Sequence, residues 1–329
     1  MKTRRIKTIL LFLSTMPFIG IYAQSIYYVS PHASSGGDGS PATPFHIIHE
    51  AVEKARKDKN CTTIYLREGE YILDTPLVLT SADGNDSKEL IIRNYPGEKA
   101  IISSGITLDL KWEKYKNGIM RAAVKGNPVM DMLIVNGDLR SMARYPDYDK
   151  TAVRFNGTSA LATAPERVKK WKNPEGGYFH AMHSHDWGDF HYRITGKNEK
   201  GELQLEGGWQ NNRPMGIHPE NRMVENIFEE LDAPGEWYYD KQEGWLYYYP
   251  LSDENINELV FETPQLKNLI EIAGTSSHPV KNITIEGIEL TQTIRTFMEH
   301  YEPLLRSDWT IYRGCLLYTS PSPRDKRQS

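Results

Sequence analysis

Short runs of aliphatic and β-branched residues recur along the chain, and turn-forming residues separate them. Runs of this length are typical of strands rather than helices. They lie at residues 26–30, 63–66, 77–80, 90–93, 100–103, 259–261, 269–272, 283–285 and 288–290. Many short strands at close spacing favour either a coil of stacked strands or a sandwich of two sheets.

The segment 282–290 favours the coil. Ile283 and Ile285 point to one side of an extended chain, and Ile288 and Leu290 point together again after Gly287 shifts the register. Stacked coils need inward aliphatic side chains and tight bends where larger side chains would clash. We therefore predict a mainly β fold, a right-handed parallel β-helix, with an antiparallel sandwich as the alternative.

Two further segments complete the predicted organisation. Apolar residues at helical spacing between 47 and 55 predict a helix that caps the coils together with the strand 26–30. The middle of the chain is richer in His, Trp, Tyr and Asn, which indicates an inserted β-rich domain with a hairpin at 238–249 and a short helix at 164–171. We expect the cap and first coils at 24–124, the inserted domain at 125–250 and further coils at 251–314.

The N-terminus resembles a secretory signal peptide. Lys2, Arg4 and Arg5 precede an apolar run at 9–21, and Ala23 supplies a small residue before a cleavage point. We expect residues 1–23 to be removed and the mature protein to be periplasmic or extracellular. An uncleaved membrane anchor is the alternative, but the run is short and contains proline and glycine.

Charge and composition restrict the partners. The formal net charge of −4 lacks the basic excess of nucleic-acid-binding proteins, so we expect no nucleic-acid partner. Because no second long apolar segment follows the N-terminal one, we expect no membrane contact after cleavage, and we expect a monomer. Residues 315–329 change abruptly to Ser, Pro and basic residues and resemble the translation of a sequencing adapter. We expect this tail to be non-native and the true protein to continue past Gly314, with a disordered native tail as the alternative.

The densest group of reactive side chains lies between His180 and His191, where four histidines accompany Asp186, Asp189 and Trp187. On one continuous strand, His183, His185, Asp189 and His191 would share a face. Three interpretations stay open: a metal site, a sugar-binding surface and a structural hydrogen-bonded hairpin. We predict that substrate is bound by His183, His185, Asp186, Trp187 and His191, with no metal and no cofactor.

Two other polar segments are weaker candidates. Arg140 and Arg144 have the charge to bind acidic sugars, but pairing with neighbouring carboxylates is the favoured interpretation. The segment 209–213 combines an aromatic ring with amides and an arginine and has the same ambiguity. No nucleophile elbow, phosphate-binding loop or dinucleotide motif is present in the sequence.

Several motifs resemble glycoside hydrolase family 141. They are Tyr27-Tyr-Val-Ser-Pro31, Leu66-Arg-Glu-Gly-Glu-Tyr71, Tyr95-Pro-Gly-Glu98, the stretch 136–146 and the His-rich insert. The resemblance implies a right-handed parallel β-helix with an inserted domain, α-L-fucosidase or xylanase activity, and a polysaccharide or oligosaccharide substrate. It also implies catalytic carboxylates on later coils, beyond Gly314, so none is named here. A polysaccharide lyase and a non-catalytic carbohydrate-binding β-helix are the alternatives.

Overall fold

The computed structural model describes residues 24–59, 61–210 and 216–299, together with the backbone of 317–319. The predicted signal peptide and the rest of the tail lie outside the described residues. The described chain is mainly β with few helices, as predicted. The strands are β1 (Ser25–Val29), β2 (Thr62–Leu66), β3 (Gly69–Ile72), β4 (Leu77–Thr80), β5 (Leu90–Asn94), β6 (Ala100–Ser103), β7 (Gly105–Thr107), β8 (Glu113–Lys116), β9 (Ile119–Ala123), β10 (Leu133–Val135), β11 (Asp138–Met142), β12 (Arg144–Tyr145), β13 (Tyr178–His183), β14 (Asp189–Lys197), β15 (Leu203–Gly207), β16 (Ile217–Glu225), β17 (Glu236–Asp240), β18 (Trp245–Tyr248), β19 (Phe261–Pro264), β20 (Ile270–Ala273), β21 (Ile283–Glu286), β22 (Ile288–Thr291) and β23 (Leu317–Thr319).

Three sheets contain only parallel strands. Their orders are β1-β2-β5-β21, β3-β6-β22 and β4-β20-β23. Consecutive strands β2, β3 and β4 lie in three different sheets, and β5 then returns beside β2. The register places Ile64, Ile92 and Ile285 in one row, and Ile64 and Ile92 are fully buried. The predicted inward aliphatic positions therefore stack on one another across successive strands.

Gly287 turns the chain between β21 and β22. Its φ of +69° lies in the left-handed region that favours glycine. A Cβ atom at this position would come within 2.0 Å of the Asn94 side-chain oxygen. The corner predicted at Gly287 thus has both a backbone and a packing reason.

The predicted cap helix is confirmed as α1 (Ile48–Lys57). Its buried residues Ile48, Ala51, Val52 and Ala55 recur at helical spacing and join the same core as the parallel strands. The second predicted helix is shorter than expected: α2 (Pro165–Val168) follows a 3-10 turn at Ala160–Thr163. Further 3-10 turns lie at Phe228–Glu230 and Ile256–Glu258.

Largely antiparallel sheets occupy the chain between the parallel strands β6 and β20. One has the order β7-β19-β10-β11-β17-β18-β9-β8, and the other has the order β12-β16-β13-β14-β15. The predicted hairpin at 238–249 is confirmed as β17 and β18. The run at 259–261, expected in a parallel coil, instead leads into β19, which pairs antiparallel with β7 and β10. The antiparallel strands therefore extend beyond 125–250 at both ends, and the division into domains stays a prediction.

Each antiparallel sheet packs on aromatic residues. Trp237, Tyr248 and Phe261 lie in the core of the eight-stranded sheet, whereas Trp171 and Phe179 lie in that of the five-stranded sheet. No helix among the described residues is long and apolar enough to cross a membrane.

Replacement of Leu79 by Ala tests the core of the parallel strands. Leu79 is fully buried on β4, so we expect a loss of about 2–5 kcal/mol in the free energy of unfolding. The neighbouring Val78 is 39% exposed, and Val78→Ala should cost about 1 kcal/mol or less. Urea denaturation of both variants measures the difference, and equal losses would contradict the inward assignment of Leu79.

Candidate functional site

The His-rich segment forms a hairpin rather than one continuous strand. β13 ends at His183 and β14 begins at Asp189, so residues 184–188 make the turn. Asp186 and Gly188 adopt left-handed backbone conformations, with φ values of +59° and +88°. Glycine and aspartate tolerate this conformation better than most residues, which explains why a turn forms here.

The prediction that His183, His185, Asp189 and His191 share one face is wrong, because the turn changes the alternation. His180 lies directly opposite His191 in the hairpin, and these two side chains therefore lie on one face. His183 instead stacks on Phe190, with ring centroids 6.0 Å apart, on the other face. His185 lies in the turn itself and is exposed.

Four of the five predicted binding residues lie together at this turn. The ring of Trp187 is nearly parallel to the buried ring of His183, at 7° and a centroid distance of 6.0 Å. His185 lies beside Trp187 at 5.7 Å, and Trp187 is 51% exposed. We call residues 183–187 the His-rich turn. It exposes the Trp187 ring and the His185 imidazole to solvent, and the buried His183 ring stacks beneath Trp187.

Asp186 is held in place by two polar neighbours. Arg154 donates to its Oδ2 at 2.8 Å, and the Asn221 amide donates to its Oδ1 at 3.0 Å. Arg154 comes from the loop after β12, and Asn221 comes from β16. The turn is therefore anchored to two other segments of the five-stranded sheet.

The fifth predicted residue, His191, belongs to a different constellation on the opposite face. His191 and His180 contact through their Nδ1 atoms at 2.7 Å, and His180 reaches Glu225 at 3.3 Å. Arg295 then pairs with Glu225 at 2.5 Å and with Asp131 at 3.1 Å. We call these five residues the Arg295 network.

Burial and charge act against each other in this network. Burial alone would raise the pKa of Glu225, but the Arg295 guanidinium and His180 hold that pKa well below its ordinary range. Burial lowers the pKa of His180, which favours its neutral form. Arg295 also lies over the rings of Tyr178 and Phe297, at 5.5 and 4.9 Å from their centroids. The network is thus a paired, largely buried group of charges covered by aromatic rings.

A cavity of about 480 Å³ is lined in part by Glu225 and Arg295 of this network. Its walls come from β11, β12 and β16, the loop after β12 and the segment 233–237. Glu225, Glu236 and Arg144 line it at buried positions, whereas Tyr148 and Leu139 are 54% and 61% exposed at its edge. We call it the Glu236 cavity.

Glu236 differs from the other carboxylates of the cavity. It is 2% exposed, and its Oε2 accepts long backbone hydrogen bonds of 3.4 Å from Asp232 and Ala233. Its Oε1 has no hydrogen-bond partner in the described part of the chain. Burial raises the pKa of Glu236 to about 8, and the nearby Asp147 and Asp232 carboxylates add to this shift. The cavity therefore holds one carboxyl that is protonated at neutral pH and one, Glu225, that is ionised.

Arg144 and Arg154 connect the cavity with the His-rich turn. The buried Arg144 guanidinium donates to the carbonyls of Pro146, Phe155 and Gly157 at 2.7, 2.7 and 3.1 Å. These bonds close the loop that carries Tyr148 at the cavity edge. The same loop carries Arg154, the partner of Asp186, so one closed loop positions parts of both regions.

The two weaker candidate segments contribute to structure. Arg140 pairs with Glu254 at 2.8 Å, and Arg144 binds backbone carbonyls, so the described contacts of both arginines are structural. Trp209 and Gln210 donate to the backbone carbonyls of Glu299 and Phe297, which ties the segment after β22 to the five-stranded sheet. Residues 211–213 lie outside the described residues.

Sequence reasoning missed Asp131, Glu225, Glu236 and Arg295. The partners of Arg295 lie 70 and 164 residues away in sequence, and no local pattern marks such pairs. Within the described ranges, no group of three or more His, Cys, Asp or Glu side chains is placed to hold a metal ion. The placement of the catalytic carboxylates beyond Gly314 stays a prediction.

Comparisons with known proteins relate this chain to a solved glycoside hydrolase by fold. No protein-family model matches the chain. Over 88 residues it is 34% identical to the uncharacterized protein YwoF of Bacillus subtilis (strain 168), which covers 26% of this chain and 17% of that protein. A solved structure described as "Glycoside hydrolase" matches with a TM-score of 0.65 and 23% identity, covering 82% of this chain and 51% of that one. A complex of XylC with xylose matches with a TM-score of 0.38 and 14% identity, covering 84% and 36%. The chain thus has a glycoside hydrolase-like fold and spans about half the length of the first structure.

Replacement of Arg295 by Met tests the network. The variant leaves Glu225 and Asp131 without their counter-charge, so we expect a loss of about 3–5 kcal/mol in the free energy of unfolding. As a control, Arg93→Met removes an ion pair with Glu286 whose two side chains are 40% and 46% exposed, and should cost about 1 kcal/mol or less. Urea denaturation at neutral pH measures both variants. Similar losses for the two variants would show that the buried Arg295 pairs stabilise the protein no more than an exposed ion pair does.

Replacement of Glu236 by Gln tests its protonation. The pKa of Glu236 is 4.5 in an ordinary exposed setting and about 8 in the folded protein. At a pH between these two values, the native protein binds a proton at Glu236 that the unfolded chain does not. Stability from this group is therefore complete below that window and is lost as pH rises through it, by at most about 1.4 kcal/mol per pH unit. The Gln variant lacks this loss and should melt above the wild type at alkaline pH. Melting temperatures across the window measure the effect, and the exposed Glu243→Gln should follow the wild type. Parallel curves for wild type and Glu236→Gln would refute the assignment.

Proposed function

We propose that this protein is an exported carbohydrate-active protein and, in its full-length form, a glycoside hydrolase of the α-L-fucosidase or xylanase type. The observation that carries the proposal is the His-rich turn, where a half-exposed Trp187 lies beside exposed His185 and anchored Asp186. The glycoside hydrolase-like fold supports the same class. The substrate is a polysaccharide or oligosaccharide, and the protein acts as a monomer without a cofactor.

The His-rich turn suits sugar recognition for physical reasons. Sugar rings present C–H faces that pack on aromatic planes, and their hydroxyls need hydrogen-bond donors and acceptors. Trp187 is supported from below by the buried His183 ring, so its plane is already oriented before a ligand arrives. Such pre-organisation reduces the entropy that binding must overcome. His185 and Asp186 then supply polar atoms beside the plane, and none of these residues is proposed as the nucleophile.

The parallel sheets are proposed to be the coils of a right-handed parallel β-helix, with the antiparallel sheets as its insert. Successive strands change sheet in the order β2, β3, β4 and then return in register at β5, which supports this interpretation. A rigid stack of coils with loops and inserts on its surface is a common way to position binding residues.

Export is proposed from the N-terminal residues. Residues 1–23 combine a basic start, an apolar stretch and a small residue at the cleavage point. The mature protein would therefore act in the periplasm or outside the cell. Hydrolysis of a glycosidic bond needs two carboxyl groups, which we expect beyond Gly314.

The test uses the full-length protein with Trp187→Ala and His185→Ala, assayed on xylan, fucosylated oligosaccharides and pectin. We expect each variant to weaken binding of the preferred glycan about tenfold, because a stacking plane or a hydrogen bond is lost. Tyr115→Ala is the matched control, since Tyr115 is 37% exposed on the other antiparallel sheet. Calorimetry measures affinity and differential scanning calorimetry measures the melting temperature.

The outcomes separate the candidate functions. Release of reducing sugars from xylan or fucosylated oligosaccharides supports a hydrolase, whereas unsaturated products from pectin indicate a lyase. Binding without cleavage indicates a carbohydrate-binding protein. If the melting temperature falls while glycan affinity per folded molecule is unchanged, the His-rich turn is structural and the binding assignment is wrong.

A further inference from the structure

The Glu236 cavity has a buried polar floor and an exposed edge. Glu225, Glu236 and Arg144 are each less than 9% exposed at the floor, whereas Tyr148 and Leu139 are largely exposed at the edge. The volume of about 480 Å³ lies within the range of roughly 300–1,000 Å³ that small-molecule sites occupy. A cavity of this shape presents one end of a ligand to polar groups and the other to an aromatic ring.

Most charged groups of the cavity already have polar partners. Glu225 and Asp131 both contact Arg295, Arg140 contacts Glu254, and Arg144 is surrounded by backbone carbonyls. Among the lining side chains alone, three arginines accompany three carboxylates other than Glu236, so their formal charges cancel when Glu236 is uncharged. A charged ligand would disturb this balance and would lose its own hydration without a new partner. The cavity therefore favours an uncharged, polar ligand.

Two buried polar atoms of the lining residues, Arg140 Nε and Glu236 Oε1, have no hydrogen-bond partner among the described residues. The Glu236 Oε1 is buried and has no hydrogen-bond partner among the described residues, while Oε2 accepts from two backbone N–H groups. Because Oε2 acts as an acceptor, the proton of the neutral carboxyl resides on Oε1, which can donate it to a ligand. Most buried polar groups in folded proteins have a hydrogen-bond partner, and a water or another bound molecule can satisfy one that has no protein partner.

We propose that the Glu236 cavity binds one neutral pyranose unit, with the Glu236 carboxyl donating a hydrogen bond to a sugar oxygen and the Tyr148 ring packing against the sugar at the edge. The site is separate from the His-rich turn, since none of residues 183–187 lines the cavity. The inference rests on the proposed carbohydrate-active function, and it adds a second sugar site within the same antiparallel region.

This site should bind sugar in a pH-dependent way. The groups that face Glu236 are Asp147 on the loop after β12, Asp232 beside the 3-10 turn and Arg144 on β12. Burial and the two aspartates keep the Glu236 carboxyl protonated up to a pKa of about 8. Above that value the donor is lost, and the ionised carboxylate also disturbs the balanced charge of the cavity. Affinity should therefore fall as the pH rises through this value.

The experiment titrates L-fucose and methyl β-D-xylopyranoside into the full chain, observed by saturation-transfer NMR. Glu236→Leu should weaken binding by about tenfold or more, since it removes the donor. Glu236→Gln keeps an uncharged donor and should bind at all pH values without the alkaline loss. Glu230→Gln is the matched control, because Glu230 is also buried, at 4% exposed, but bonds to Arg167 and Trp171 away from the cavity.

The results decide the proposal in either direction. Alkaline loss in the wild type and its absence in Glu236→Gln support it, even if Glu236→Leu fails to fold. Any of three results overturns it: the wild type binds neither sugar, Glu236→Leu binds as well as the wild type, or Glu236→Gln has the same pH profile as the wild type. Trp187→Ala separates the two sites: it should reduce polysaccharide binding and leave monosaccharide binding in the cavity intact. If Trp187→Ala leaves polysaccharide binding unchanged while Glu236→Leu weakens monosaccharide binding, the proposal for the His-rich turn is wrong and the proposal for the cavity is supported.

Discussion

Arg295 is the charge on which the antiparallel part of the molecule depends. It follows the parallel strand β22 and pairs with both Glu225 and Asp131, with Tyr178 and Phe297 packed on its guanidinium. The buried Glu225 and the partly buried Asp131 would lack a counter-charge without a cation, and a guanidinium can contact both carboxylates at once. The segment that carries Arg295 thereby connects the parallel strands to the five-stranded sheet. The Glu236 cavity uses the Glu225 and Arg295 side chains of this contact as part of its wall.

The two regions differ in how they are built. The His-rich turn owes its form to stacking, since a buried imidazole supports an exposed indole and an ion pair fixes the adjacent aspartate. The Glu236 cavity is marked by one buried carboxyl that has no cation bonded to it and therefore remains protonated. One loop, closed by Arg144, carries residues of both. A glycan held at the turn and a sugar unit held in the cavity would therefore contact the same loop from two sides.

The sequence predicts the repetitive part of this fold better than the part that binds. The alternation of Ile283 and Ile285 and the corner at Gly287 are local signals, and the same physical rule applies at each parallel strand, so the parallel strands and the cap helix were predictable. The face on which His191 lies was not, because a turn of five residues decides which side chains of β14 match those of β13. Glu225 and Glu236 look like ordinary surface acids in sequence. Only the approach of Arg295 and the enclosure of residues 233–237 change the protonation of these two groups in opposite directions.

The position of Arg295 in the chain has a consequence for the order in which the protein matures. Asp131 and Glu225 are synthesised 164 and 70 residues before the arginine that neutralises them. A chain that ends before residue 295 holds both carboxylates and lacks the guanidinium that pairs with them. The final packing around Glu225 therefore requires the chain to be complete beyond β22, although β16, which carries Glu225, ends 70 residues earlier. Distant parts of the sequence thus depend on each other for the pairing of these acids.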